Sequence, residues 1–446
     1  MPRYLFAREI PANPGNAPPG FFGLIVASSY AGVAVPQRVL HLLSQRPSLT
    51  GSGITLDAMV RHAAHVGWDQ RVVVGVPHDD PAPAVGELSA SFIHPLRFGT
   101  DTLPFDIPGM SDVMPYQSSR FSALTPEQIE HYKQAWCEHL AAVARESKPD
   151  VIHTHHLWIM SSLVREVFPR TPVVAHCHGT CLRQMELCPH LAPEAIAGCQ
   201  RLDRYAVLHE GHAVDLVRKL GVERKRIDIV GAGFRDDLFH IRGRKRERGH
   251  DILYAGKFSN AKGLPWLLDA FEQVQRQFPG ARLHIAGGGS GQEAGDIRAR
   301  METMAPHVVL HGMLSQAELS ELMRRCDLFV LPSFYEGLPL VLIEALASGC
   351  RLVSTNLPCM DQLREHIAPA LDLVKLPRLV GPDTPVQDDL PRFITNLCEA
   401  ITLALTRPSI VEHAALHKAM VEPYTWDAVC IRTESVWRRL IGTNAE

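Results

Sequence analysis

The sequence predicts an α/β protein of two facing domains, each a parallel sheet covered by helices, with a cleft between them. Three observations carry this. The chain has 446 residues, and a single hydrophobic core stops growing at roughly 250 to 300. From Gln37 onward, short β-branched runs alternate with apolar-periodic helical stretches, the signature of parallel strands with helices on both faces. The alternation stops at Arg242-Gly243-Arg244-Lys245-Arg246-Glu247-Arg248-Gly249, which reads as a solvated linker, and then restarts.

The elements follow in order. In the first half, strands are predicted at Arg38–Leu43, Arg71–Val76, Val151–His155, Val173–His178 and Tyr205–Leu208, with helices at Glu127–Arg145 and Gly211–Leu220. In the second half, strands are predicted at Ile252–Ala255, Leu283–Ala286, Val308–Leu310, Leu328–Leu331 and Leu352–Ser354. Helices there fall at Pro265–Phe278, Gln316–Arg325 and Pro339–Ser348. An amphipathic helix over Trp426–Ile441 closes the chain, with Thr425 as its N-cap. The expected division is an N-terminal extension (1–35), a first domain (36–240), a linker (241–250), a second domain (251–424) and a last helix (425–446) crossing back to the first.

Composition narrows the function. Lys and Arg number 45 against 48 Asp and Glu, a net charge of -3, so no global positive field favours nucleic acid or an anionic membrane. Hydrophobic residues at 46% exclude disorder. Ten Cys without paired C-x-x-C spacing point to a reducing compartment. The patch His176-Cys177-His178, Cys181, Cys188, His190 fits no usual ligand spacing, so no metal is expected. Phe21–Val35 is the longest apolar run, but it falls short of the ~20 residues of a membrane helix. A poorly specified extension is preferred to a signal peptide, for which Arg3, Arg8 and Ala34 would supply the marks.

Chemistry is written at strand ends. In Asp327–Gly349 (DLFVLPSFYEGLPLVLIEALASG) a buried strand ends in a turn from Pro332 to Gly337, and a helix begins with Pro339 at its first position. Ligands of open α/β sheets bind beyond such ends, where a helix N-terminus offers free amides and its positive dipole end. Glu336 in the turn and Glu344 in the helix are placed to accept hydrogen bonds from sugar hydroxyls. Glu344 lies inside the apolar run Leu338–Leu346, which argues against a merely solvated helix residue. Ala255–Gly263 (AGKFSNAKG) brings Lys257 and Lys262 around a polar turn after Gly256, and Ala286–Gly291 (AGGGSG) adds a third Gly-rich strand end at Gly287 and Gly288. Three phosphate-friendly turns in one domain outweigh the reading of each as a surface loop.

On these residues the second half resembles glycosyltransferase family 4 of the GT-B fold: paired Rossmann-like domains in retaining, nucleotide-sugar-dependent enzymes. The family's two glutamates, with seven residues between them, match Glu336 and Glu344 in Ser333–Gly349. The resemblance implies donor sugar and diphosphate contacts at Glu336, Gly337 and Leu338, ribose contacts at Glu344, and a diphosphate grip by Lys257 and Lys262. The first of that basic pair is usually Arg, so Lys257 replaces a bidentate fork with a point charge. In the first half, Arg38–Asp57 resembles the family's opening strand and Gly-rich loop, with Gly51 and Gly53 at its close approach. Val173–Thr180 resembles the strand ending in the active-site histidine, here His178. His153, His155 and His156 are expected to line the same cleft. Ile229–Phe239 keeps only Gly233 and Phe239 of the family's turn, and Trp426 resembles the start of its last helix.

The resemblance therefore implies a metal-independent hexosyltransferase with His178, Glu336 and Lys262 as catalytic residues. Gly51, Gly53, Gly256, Lys257, Gly287, Gly288, Gly337, Leu338 and Glu344 join Lys262 and Glu336 in holding the donor. A nucleotide-diphosphate sugar is the co-substrate and no cofactor is expected. The acceptor is expected to be a small soluble molecule, met by Phe98–Phe121, and the location cytoplasmic, without nucleic acid or an integral membrane span. No Asp-x-Asp, Walker A, H-E-x-x-H or G-x-S-x-G pattern occurs. The rival readings are a binding module, phosphorylase or epimerase on the same fold, and a nucleotide-cofactor oxidoreductase, which would need a glycine fingerprint that is missing.

Overall fold

The computed structural model describes residues 36–47, 50–81, 83–111, 114–244, 249–336, 338–381 and 383–443. Gln37–Glu446 form one compact unit. The extension expected over 1–35 and the centre of the basic linker, 245–248, lie outside the described residues.

The first half is a seven-stranded sheet: β1 (Arg38–Leu43), β2 (Asp69–Pro77), β3 (Ile93–Phe98), β4 (Val151–His155), β5 (Val173–Cys177), β6 (Arg204–Val207) and β7 (Ile227–Ile229). The spatial order is β3-β2-β1-β4-β5-β6-β7 and every pairing is parallel. The second half repeats the plan with β8 (Asp251–Lys257), β9 (Arg282–Gly288), β10 (Val308–Gly312), β11 (Leu328–Leu331), β12 (Arg351–Thr355) and β13 (Leu371–Val374), ordered β10-β9-β8-β11-β12-β13. Both are doubly wound, Rossmann-like sheets. Strand order reverses between β1 and β4 and again between β8 and β11, and ligand crevices open at such reversals.

The central strands are buried on both faces; β11 reads as an unbroken apolar run, whereas β4 and β5 also bury His153, Thr154, His155 and His176. Helices α1 (Gly51–His65), α2 (Pro126–Ser147), α3 (Leu264–Gln277), α4 (Leu340–Ala347), α5 (Leu390–Thr406) and α6 (Trp426–Thr443) include the main covers. Helix α2 starts in a reciprocal capping box of Thr125 and Gln128 and buries Tyr132, Trp136 and Leu140. Helix α6 is capped by Thr425, whose Oγ1 accepts from Ala428 N at 3.3 Å. It lies against the first sheet, with Trp437 edge-on to Trp68 at 5.3 Å and Glu434 accepting from Trp68 Nε1 at 3.1 Å and His62 Nε2 at 2.8 Å.

Several expectations need correction. Gly51 and Gly53 do not form a loop: they open α1, where Thr50 caps the Gly53 amide through Oγ1 at 3.2 Å. The cap hydroxyl offsets the poor helix propensity of two glycines. The helix expected from Pro339 starts one residue later, with Pro339 at ψ 77° outside the helical region. Within Phe98–Phe121, the expected acceptor surface, Phe98, Leu103, Phe105, Ile107 and Phe121 belong to the core of the first half, while most of the remaining described residues stay partly or fully exposed.

Candidate functional site

The main cleft opens where both halves reverse their strand order. From the first half it takes the α1 N-terminus with Thr50, Gly51 and Ser52, the β1 end with Gln45, and the β4 and β5 ends with His156 and His178. Glu344 and Leu340 of α4 enter from the second half, and Phe234, Arg235 and Trp426 come from the crossing segments. Three expected residues, Gly51, His178 and Glu344, thus meet around one space. Gly53 is buried within α1 and does not line it.

His178 follows β5 directly, and its Nε2 lies 2.9 Å from His155 Nδ1, one ring nitrogen donating to the other. Burial, followed by the neighbouring His176, holds its pKa well below the ordinary imidazole value. A neutral ring can position a substrate hydroxyl but brings no positive charge. His156 is fixed by Gln45 Oε1 at 3.0 Å, which also accepts from Ser52 Oγ at 3.2 Å. His156 and His178 line the cleft; His153 and His155 are fully buried behind it. Glu344 carries no side-chain hydrogen bond or ion pair among the described residues, and burial lifts its carboxyl to about 7.

A second group of expected residues assembles one loop away, at the ends of β8 and β11. Lys262 Nζ lies 2.7 Å from Glu336 Oε1, both side chains mostly shielded from solvent. Sequence reasoning gave the two separate roles; here they are partners. Their loops are tied by Phe334 N donating to Ala261 O at 2.9 Å. Gly263, at φ 70°, sits so close to the second loop that a Cβ would lie 2.0 Å from Pro332 O. Gly263→Ala is therefore expected to destabilise the fold by at least about 1–2 kcal/mol, the cost of the left-handed conformation alone, as urea titration would read.

Lys257 stands exposed at the end of β8. Gly287, at φ 129°, lets β9 approach β8: a Cβ there would lie 2.0 Å from Gly256 O. Gly287 thus has a packing reason to be glycine, and a Cβ at Gly256 would lie 2.8 Å from the Tyr254 hydroxyl. Gly288 ends β9 beside them, paired in register with Lys257. Leu338 lines a neighbouring cavity that shares Leu208 and Ala232 with the main cleft, and Gly337 lies outside the described residues.

Some cleft residues escaped the sequence reading. Thr50 and Ser52 were available as a cap signature before α1. Gly233 was noted only as a survivor in register, yet a Cβ there would fall 2.4 Å from the Trp426 ring. The close approach of the Ala232–Arg235 segment to the last helix explains the glycine. Of the expected acceptor segment, Met110, Ser111 and Met114 do reach the cleft. No helix among the described residues is long and apolar enough to cross a membrane.

Two family models match the chain, one described as "Glycosyl transferase 4-like domain" over residues 50–233, the other as "Glycosyl transferases group 1" over residues 249–375. Mannosylfructose-phosphate synthase of Agrobacterium fabrum is 31% identical over 157 residues, 31% of this chain and 35% of that protein. Glycogen synthase of Mycobacterium tuberculosis is 24% identical over 311 residues, 66% of this chain and 69% of that protein. The chain thus matches about a third of the first relative's length. Among solved structures, sucrose-phosphate synthase from Thermosynechococcus elongatus superposes with a TM-score of 0.63 at 17% identity, over 91% of this chain and 100% of that one. A trehalose-6-phosphate protein from E. coli bound with UDP-2-fluoro glucose gives 0.61 at 13% identity, over 90% and 99%. The two family models meet the two sheets whose strand ends build the cleft, and the chain belongs to the GT-B glycosyltransferases, consistent with family 4.

Proposed function

We propose that this glycosyltransferase is a retaining, metal-independent hexosyltransferase that takes a sugar from a nucleotide-diphosphate donor to a small soluble acceptor, in the cytoplasm and without a cofactor. One observation carries the reading: a shielded Lys262–Glu336 pair and a Glu344 carboxyl without a partner among the described residues stand at the strand ends of the second half, with His178 from the first half on the wall of the cleft that Glu344 enters. The nucleotide sugar bound by the E. coli structural relative supports the donor class, and the sugar-phosphate synthases among the relatives support a small acceptor.

In this reading the ribose hydroxyls donate to Glu344, and the diphosphate meets Lys257 and Lys262. The bond from C1 to the β-phosphate oxygen breaks while C1 bonds to the acceptor oxygen on the same face. The acceptor proton passes to the departing phosphate oxygen. Charge growing on that phosphate is stabilised more in the transition state than in the intact donor, which is what accelerates the step. His178 orients the sugar.

Thermal-shift titration against UDP-, GDP- and ADP-sugars tests this. Donor at 100 times its Kd stabilises the fold by about 2.7 kcal/mol, and one nucleotide series is expected to stand out. Donor consumption with a mixed acceptor pool should follow, with the anomeric configuration kept. Binding without turnover would favour a non-catalytic module, and an inverted product would overturn the retaining mechanism.

A further inference from the structure

Behind the cleft wall, one face of the first sheet carries a row of histidines, of which only His178 has a part in the proposed transfer. Side chains two apart on a strand share a face, so His153 and His155 of β4 project together, as do His176 of β5 and His178 beyond it. The pairing register sets His41 of β1 beside His153, and His155 beside His176. The rings stack: His176 and His178 are 4.4 Å apart at 10° between planes, and His153 and His155 are 4.7 Å apart at 28°. His41, His153, His155 and His176 are all fully buried.

These are costly core residues. Among the described residues both ring nitrogens of His153 and of His176, and Nε2 of His155, have no hydrogen-bond partner. Each such buried polar group forfeits its hydration without a bond in return, and the flanking positions Val39, Val151 and Val174 on the same face show that apolar side chains fit there. Buried unsatisfied nitrogens converging on one another call for a ligand.

We propose that His155, His176 and His178 bind a divalent transition-metal ion of the zinc type. One nitrogen from each ring lies within 4.8 Å of the others. Tetrahedral Zn–N bonds of about 2.0–2.1 Å place ligand nitrogens about 3.3 Å apart, so ring rotations that close each gap by about 1.5 Å at most would complete the set. Three imidazoles without a carboxylate suit zinc, copper or nickel, and not calcium or magnesium. A second trio, His41, His153 and His155, is equally close, but it is sealed beneath Trp437 and has no member on the cleft. His178 does line the cleft, giving the ion a route in and leaving its fourth position to water. The loop-type spacing of usual zinc ligands is absent because these ligands come from adjacent strands. The transfer chemistry proposed above needs no metal. If that reading holds, an ion gripping His178 slows transfer.

The test uses untagged chain, stripped with chelator, dialysed against Zn²⁺ with no donor or acceptor present, and assayed for metal content. About one equivalent retained per chain is expected, and Co²⁺ loading should give the visible bands of a tetrahedral nitrogen site. His178→Ala, on the cleft wall, should lower Zn²⁺ affinity at least about 10-fold while the circular dichroism of the metal-free chain is unchanged. His41→Gln should bind as the parent does. Zinc lost on dialysis, wild-type affinity in His178→Ala, or affinity lost in His41→Gln would each overturn the assignment. Because no nucleotide sugar enters the experiment, its failure leaves the proposed transfer untouched.

Discussion

Lys262→Ala is expected to lower kcat/KM for sugar transfer by about 10²–10³-fold, the range seen when one preorganised donor to a developing anion is removed. The argument starts from position. Lys262 ends a short turn after β8, and Glu336 follows β11, two strands adjacent at the reversal of strand order. A backbone hydrogen bond and the Gly263–Pro332 approach fix the loops, so the 2.7 Å contact is held by the fold rather than by two free side chains. In the ligand-free chain Glu336 offsets the lysine charge; in the proposed donor complex the same ammonium faces the departing diphosphate. Removing Lys262 takes away that stabilisation and leaves Glu336 shielded without its cation. Glu336→Ala should therefore lose transfer too, and the double variant should be far less impaired than the product of the singles, since partners in contact couple by 0.5–3 kcal/mol. Denaturant midpoints close to the parent's would show that the losses are chemical. Near-parental turnover in both single variants would remove the pair from the reaction.

The sequence showed the buried central strands: β1, β4 and β11 fall where expected, residue for residue. What it hid has physical reasons. Strand β3 contains Pro95 and lies at the sheet edge, where a missing N–H is tolerated but the β signal is weakened. Strand β7 has three residues, and β13 carries Asp372 at its second position, so neither offers a run long enough to read. Helix α1 hid behind two glycines in its first turn. For the site, the single-chain motif around Glu336 and Glu344 was legible because one strand, one turn and one helix carry it. Cross-strand relations were not: the Lys262–Glu336 pair spans 74 residues, and the histidine row exists only through sheet register.

Glu344 should make both stability and donor affinity depend on pH, in opposite senses. Its carboxyl is half-buried, lacks a partner among the described residues, and is raised by burial from an ordinary 4.5 to about 7. The unfolded chain ionises this group near 4.5, so between 4.5 and 7 the folded chain holds the extra proton. Below 4.5 both states are protonated and the group imposes no penalty; as pH rises through 7 the penalty of a desolvated carboxylate becomes complete. A shift of this size, discounted for partial exposure, is worth about 2 kcal/mol. Glu344→Gln should thus be more stable than the parent by about that amount at pH 8 and equal to it near pH 4, as urea midpoints would report. A position that is destabilising at physiological pH invites a functional reason, and hydroxyl donors supply one: ribose hydroxyls would satisfy the carboxylate and draw its pKa back down. Donor affinity of the parent should then rise about tenfold from pH 6 to pH 8, as ionisation centred near 7 goes from a small fraction to nearly complete. In Glu344→Gln the affinity should be lower at pH 8 and flat across the range, measured by calorimetry. A parent whose donor affinity ignores pH, alongside a variant that binds equally well, would mean that this carboxyl does not touch the nucleotide. Its cost to stability would then have no counterpart in donor binding.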